Sequence, residues 1–186
     1  MAKGRHSSAP FDLRWGMPLT EFMEQGVRFE EQWTVWGRAQ AIRTTKLPTT
    51  PSNTGSTILI FDDVHGLAKI HWAGKPIVQD FLGDQGKLEF RQHKEQLSLQ
   101  YGHPFESIEQ TRFNSSFSHN EFYLCLQHEE CARWQSLWVT PDSGTIILEL
   151  IGFDRGAGFL HITYQGPNME NVLRQVYQQQ TPHQEI

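Results

Sequence analysis

The densest group of metal-ligating and nucleophilic side chains in this sequence is His119, Cys125, His128 and Cys131. Thiolate and imidazole are the natural ligands of zinc, and four of them suffice for a closed tetrahedral site. The intervals here fit no zinc-knuckle pattern. Cys125 also falls inside the apolar run 122–126, where a free cysteine ordinarily serves as a small buried hydrophobe. No metal or other cofactor is expected. A second chemistry would use Cys125 or Cys131 as a nucleophile with a histidine as its base. Cys131 follows Glu129 and Glu130, whose charge disfavours a thiolate, and neither cysteine has a glycine-rich surround for an oxyanion. A third would use paired acids, Asp62 with Asp63 or Glu30 with Glu31, for acid–base work. Acids at hairpin turns more often serve as local hydrogen-bond acceptors. No HExxH, GxSxG, P-loop or dinucleotide fingerprint occurs. The glycine-rich run 152–158 joins two expected strands and opens no helix, so it offers no helix N-terminus to a phosphate. No enzyme is expected.

The elements that must position these residues are mostly strands. Residues 11–15 alternate apolar and polar, as a short strand does. Pro18 opens a short helix with Leu19, Phe22 and Met23 on one side, ending at Gly26. Residues 32–44 read as one long strand, on which Trp33 and Trp36 take opposite faces because side chains alternate. A loop follows at 45–54. The β-branched run 57–61 and residues 67–72 form a hairpin. Helical spacing governs 84–101, with Leu88, Phe90, Leu97 and Tyr101 loosely on one side, and Gly102 and Pro104 end it. Further strands are expected at 108–113, 122–127, 134–140, 145–151 and 159–164. A last helix, 169–177, turns Val172, Leu173 and Val176 inward. Residues 1–9 and 178–186 look like tails.

Composition limits the function classes. Aromatic residues make up 12% of the 186 residues, too many for a disordered chain, which lacks side chains to offset ordering entropy. No apolar run is long enough for a membrane-spanning helix, so no membrane partner is expected. The formal charge of -5 argues against a general nucleic-acid binder, which needs a basic footprint. The basic start at Lys3 and Arg5 leads into no apolar stretch, so no signal peptide is expected. Two cysteines are few for a small secreted domain, and a reducing cytoplasm is the expected compartment.

One segment echoes another. Residues 66–74 (GLAKIHWAG) align without a gap on 158–166 (GFLHITYQG), sharing both glycines, an isoleucine and an aromatic. Each follows an apolar strand, and each lies downstream of a helix. The expected fold is α+β, an antiparallel sheet or sheets with helices on one face. It divides into two pseudo-repeated αββ halves, 10–78 and 79–178, between tails at 1–9 and 179–186.

The run Phe11-Asp12-Leu13-Arg14-Trp15-Gly16-Met17 before a short helix resembles the entry segment of many small bacterial proteins. The stretch Leu97-Ser98-Leu99-Gln100-Tyr101-Gly102-His103-Pro104, with the Trp-bearing strand and Thr145-Ile146-Ile147-Leu148 after it, resembles their continuation. The layout is similar to tandem αββ modules of the β-lactamase-inhibitor and small-lipoprotein type, although this chain lacks a lipobox cysteine. The resemblance implies a binding protein rather than a catalyst.

Surface then carries the function. Trp33 and Trp36, beside Glu24, Glu30, Glu31, Asp62 and Asp63, describe an acidic protein-binding patch with aromatic anchors. The expected role is an immunity protein that occludes the basic cleft of a bacterial toxin such as a nuclease. Rival expectations are a secretion adaptor or chaperone for an effector, and a metal- or small-ligand enzyme using the His/Cys cluster.

Overall fold

Strict alternation of apolar and polar side chains builds one eight-stranded antiparallel sheet, ordered β1-β2-β3-β4-β8-β7-β6-β5. The computed structural model describes residues 7–113 and 116–180, with the side chains of 179 and 180 left aside. Its elements run α1 (Leu19–Glu24), β1 (Glu31–Val35), β2 (Ala39–Thr44), β3 (Thr54–Asp62) and β4 (Gly66–Gly74). There follow α2 (Asp84–Tyr101), β5 (Glu106–Thr111), α3 (Phe122–Cys125), β6 (Ala132–Val139), β7 (Thr145–Asp154), β8 (Ala157–Gln165) and α4 (Met169–Gln180). β1–β4 stand on one side of the central β4–β8 ladder and β5–β8 on the other, four strands to each side, so neither half is a bare αββ unit. The division expected at 78/79 falls in the connection between β4 and α2.

The first face of the sheet is sealed. Leu59, Ile70, Trp72, Leu148, Leu160 and Trp138 point into a single core, to which α1 contributes Phe22, α2 contributes Phe90 and Leu97, and α3 contributes Phe122 and Tyr123. Removing each such side chain from water contributes about 2 kcal/mol. Leu88, expected on the buried side of α2, is 56% exposed. Asp80 fixes the start of α2, accepting from the amide of Gly86 at 2.9 Å and from the Tyr123 hydroxyl at 2.8 Å. Gly86 has to be glycine, since a Cβ there would lie 2.3 Å from that hydroxyl.

On the second face, Ala39, Ala41 and Ile60 form a smaller cluster with Trp33 and Trp36. Trp36 also packs on Met169, Val172 and Ala68, which sets α4 against this face. Helices therefore flank both sides of the sheet, not one. No helix among the described residues is long and apolar enough to cross a membrane.

Four further expectations change. The long strand 32–44 is a hairpin, because Trp36 (φ 52°) and Gly37 (φ 74°) both turn left-handed between β1 and β2. Residues 122–125 form a helical turn instead of a strand, since a short apolar run has no period of its own and packing decides. Residues 11–15 form a turn, in which Phe11 and Asp12 have positive φ and a bridge pairs Ser8 with Arg14. That bridge ties down Ser7–Ala9, and Ala9 is buried. The rest of the expected N-terminal tail, 1–6, lies outside the described residues. At the other end α4 runs on through 178–180, and 181–186 lie outside the description.

Candidate functional site

The acidic and tryptophan-bearing patch lies at the β1–β2 edge and the β3–β4 turn. Trp33 and Trp36 share the second face, because the left-handed turn redirects Trp36 and brings both onto the Ala39/Ala41/Ile60 cluster. Both are half-buried, and the Arg43 guanidinium stands 5.8 Å over the Trp33 ring. The exposed acids are largely partnered. Glu31 pairs with Arg43 at 3.1 Å, Asp63 pairs with Arg38 at 2.6 Å, and Glu30 accepts from the Thr45 hydroxyl at 3.1 Å. Glu24 is exposed at the end of α1.

Asp62 stands apart. Its side chain has no exposed surface, and both oxygens accept from Arg38 at 2.9 Å. The same carboxylate takes the amides of Val64 and His65, closing the β3–β4 turn. Burial alone would raise its pKa. The hydrogen bonds from His65, Arg38 and Val64 outweigh that and hold the carboxyl below its usual range. Its charge is used inside the fold.

The His/Cys cluster does not assemble. Cys125 and Cys131 are bonded to each other, which leaves neither sulfur as a thiolate or a metal ligand. His119 packs edge-on against Phe113, and His128 lies against Phe117. Among the described residues no three His, Cys, Asp or Glu side chains are placed to hold one metal ion.

A polar row that sequence reading missed crosses the second face near the sheet centre. His71 on β4 reaches His161 on β8, whose other ring nitrogen lies 3.5 Å from Glu149 on β7. Glu149 in turn accepts from Gln135 on β6 at 2.9 Å, and the Gln135 oxygen accepts from Arg133. Thr163 adds its hydroxyl beside His71 at 3.3 Å. Burial first, then the nearby Lys69 and His161, push the His71 pKa down to about 4, against the opposing charge of Glu149. Chiefly through the neighbouring His161 ring, 3.5 Å away, Glu149 is held below the usual carboxylate range. The only sequence signal was strand alternation, which puts His71 and His161 opposite the core residues of the two echoing segments.

Beside this row the second face stays partly open. On β6 and β7 every other residue is half-exposed, including Leu137 and Ile147, which sit opposite each other in the ladder. Comparison with family models, curated proteins and solved structures finds no match.

Proposed function

We propose that this chain is a non-catalytic protein-binding module whose docking surface is the second face of the sheet over β5–β8, with Trp33 and Trp36 on the same face beyond β3, β4 and α4. The observation that carries the reading is the contrast between the two faces. The first is sealed by α1, α2 and α3, while the second leaves a mixed aliphatic and polar stretch half-exposed across β6, β7 and β8. A mixed surface of this kind resembles a non-obligate interface, which has an apolar centre and a polar rim. Within that reading the partner is a basic toxin domain and the chain its immunity protein, as the charge of -5 favours.

The reading includes two pseudo-repeated halves. The offset that carries Gly66 to Gly158 also carries His71 to Thr163, and these two residues are partners in the β4–β8 ladder. A local two-fold through that pair would relate the two segments. Such symmetry would give the docking face two similar ends.

The test is a titration of the product of the adjacent gene against the purified chain at low and high salt. A complex that weakens with salt and is lost in Ile147→Arg supports the reading. No complex, or one indifferent to both changes, overturns it.

A further inference from the structure

Among the described residues the sheet ends at β5 on one side and at β1 on the other. A sheet end presents backbone donors and acceptors that pair with another strand unless something blunts them, most often proline, lysine or a bulge. β5 reads Glu-Ser-Ile-Glu-Gln-Thr, with neither proline nor lysine, and its pairs with β6 keep one register from Glu106 to Thr111. Which of its amides face outward follows from the ladder. The Arg112 amide donates to the Cys131 carbonyl at 2.6 Å, in the register that pairs Glu106 with Leu137. Alternate residues of an antiparallel strand bond to one side. Glu106, Ile108, Gln110 and Arg112 therefore turn their backbone groups toward β6, and Ser107, Glu109 and Thr111 turn theirs outward.

The outward residues are held from the first face. The Ser107 and Ser136 hydroxyls are 2.8 Å apart, Thr111 accepts from the Trp134 indole at 3.1 Å, and Glu109 pairs with Arg91 at 3.0 Å and with Lys94. Side chains alternate along a strand, so Glu106, Ile108, Gln110 and Arg112 take the second face. The Arg112 guanidinium accordingly lies against the Gln110 amide. A strand fixed in this way loses little freedom when it pairs.

A second copy of the chain fits this edge. Antiparallel pairing of two identical strands needs a two-fold axis perpendicular to the sheet, which keeps the faces aligned and sets each residue opposite one on the same face. The axis then passes through one residue of β5. Centred on Ile108, it sets Glu106 against Gln110 and Arg112 against Pro104. Centred on Glu109, it sets the exposed Glu106 against the exposed Arg112 at both ends of the contact. The outward amides then join Ser107 to Thr111 and Glu109 to its own copy. Those two carboxylates meet at the axis, but each already carries Arg91 and Lys94 of its own chain, which offsets their repulsion. β1 offers no such match, since Glu30 and Glu31 stand at its start and the strand holds no cation.

We propose that two copies of this chain pair antiparallel through β5, centred on Glu109, into one continuous sheet in which Glu106 of each copy faces the partner's Arg112. The contact is made by the edge of the sheet, and it stands whether or not the proposed docking face binds a protein.

The test is sedimentation equilibrium of the full chain from about 10 μM to about 1 mM. A monomer–dimer equilibrium is expected, with hydrogen exchange at Ser107, Glu109 and Thr111 slowing as the dimer fills. Glu106→Arg and Arg112→Glu each set like charges opposite one another and should weaken the dimer about tenfold or more. The double variant restores opposite signs and should dimerise like the parent, and an equimolar mixture of the two single variants should form a heterodimer. Unchanged circular dichroism reports that each variant has kept its fold. Ile147→Arg, which tests the docking face, leaves this dimer intact. A chain that stays monomeric throughout overturns the proposal, whether its β5 amides are open or covered by another segment of the chain. So does a dimer that both single variants leave unchanged, a loss that the double variant does not recover, or a dimer lost in Ile147→Arg.

Discussion

His71 and His161 meet edge to edge across the central β4–β8 ladder. Their facing ring nitrogens are 3.2 Å apart, the centroids are 5.3 Å apart, and the planes differ by 6°. Two ring radii and one hydrogen bond add up to about that centroid distance. The rings are therefore joined in their common plane rather than stacked face to face. One ring must donate to the other, which is easiest when at least one of the two is neutral. Glu149 at the far nitrogen of His161 completes a carboxylate–imidazole–imidazole row.

That row makes stability depend on pH. The folded pKa of His71 is pushed down to about 4, below the ordinary 6.5, so between those values the unfolded chain binds a proton that the folded one refuses. Stability is highest above 6.5 from this source and falls as pH drops toward 4. Allowing for the solvent that reaches a half-buried ring, the loss is on the order of 1–2 kcal/mol. Denaturant unfolding of the parent and of His71→Gln at pH 7 and at pH 4.5 should show a flatter profile in the variant. Equal slopes would mean that His71 is not the group responsible.

The Arg38–Asp62 pair should behave as an internal support. Arg38→Ala leaves a carboxylate with no exposed surface and only two backbone amides to hold it, a loss of about 3 kcal/mol or more by analogy with broken buried pairs. Asp62→Asn keeps the turn contacts and should cost less. Equilibrium unfolding measures both, and an Arg38→Ala effect below that of Glu31→Ala would contradict the assignment.

These two networks differ in how far the sequence announced them. Asp62 as a turn acceptor follows from local chemistry, because an acid at a hairpin turn bonds amides two and three positions ahead. The end of α2 was equally local, set by Gly102 with its positive φ, whereas its start rests on Asp80, which takes the Gly86 amide and the Tyr123 hydroxyl. The His71–His161 contact depends on which strand neighbours β4, and the segments are 90 positions apart. The helical turn at Phe122–Cys125 was hidden for a related reason. Its four residues are all apolar or aromatic, and long-range contacts, the core burial of Phe122, the Tyr123–Asp80 bond and the Cys131 sulfur, favour the turn over a strand. The Trp36–Gly37 turn carried a readable signal, a glycine where a left-handed residue is needed, that the alternation of 32–44 masked.

Linking Cys125 to Cys131 closes a loop six residues apart in sequence. Loop-closure entropy for so short a loop is small, so reduction should cost on the order of 2 kcal/mol, and the effect should be local. Hydrogen exchange with and without dithiothreitol should show faster exchange across 121–132 and little change in β3, β4 or β8. Counting alkylated thiols in the intact cell would then report the compartment. Free thiols agree with the expected cytoplasm, whereas a protected pair favours an oxidising space.

Two glycines separate close approach from backbone strain. At Gly37 a Cβ meets nothing within 4 Å, but φ is 74°, so Gly37→Ala should cost about 1 kcal/mol through conformation alone. At Gly152 on β7 a Cβ would lie 1.9 Å from the backbone carbonyl oxygen of Tyr123. Backbone cannot swing aside as a side chain does, so α3 would have to lift from the sheet. That movement would strain the Tyr123–Asp80 bond at the start of α2, and the expected cost is about 3 kcal/mol or more. Urea unfolding of the two alanine variants compares them directly, and hydrogen exchange should show α3 loosened only in Gly152→Ala. A Gly152→Ala cost no larger than that of Gly37→Ala would mean that α3 is not clamped to β7 as described.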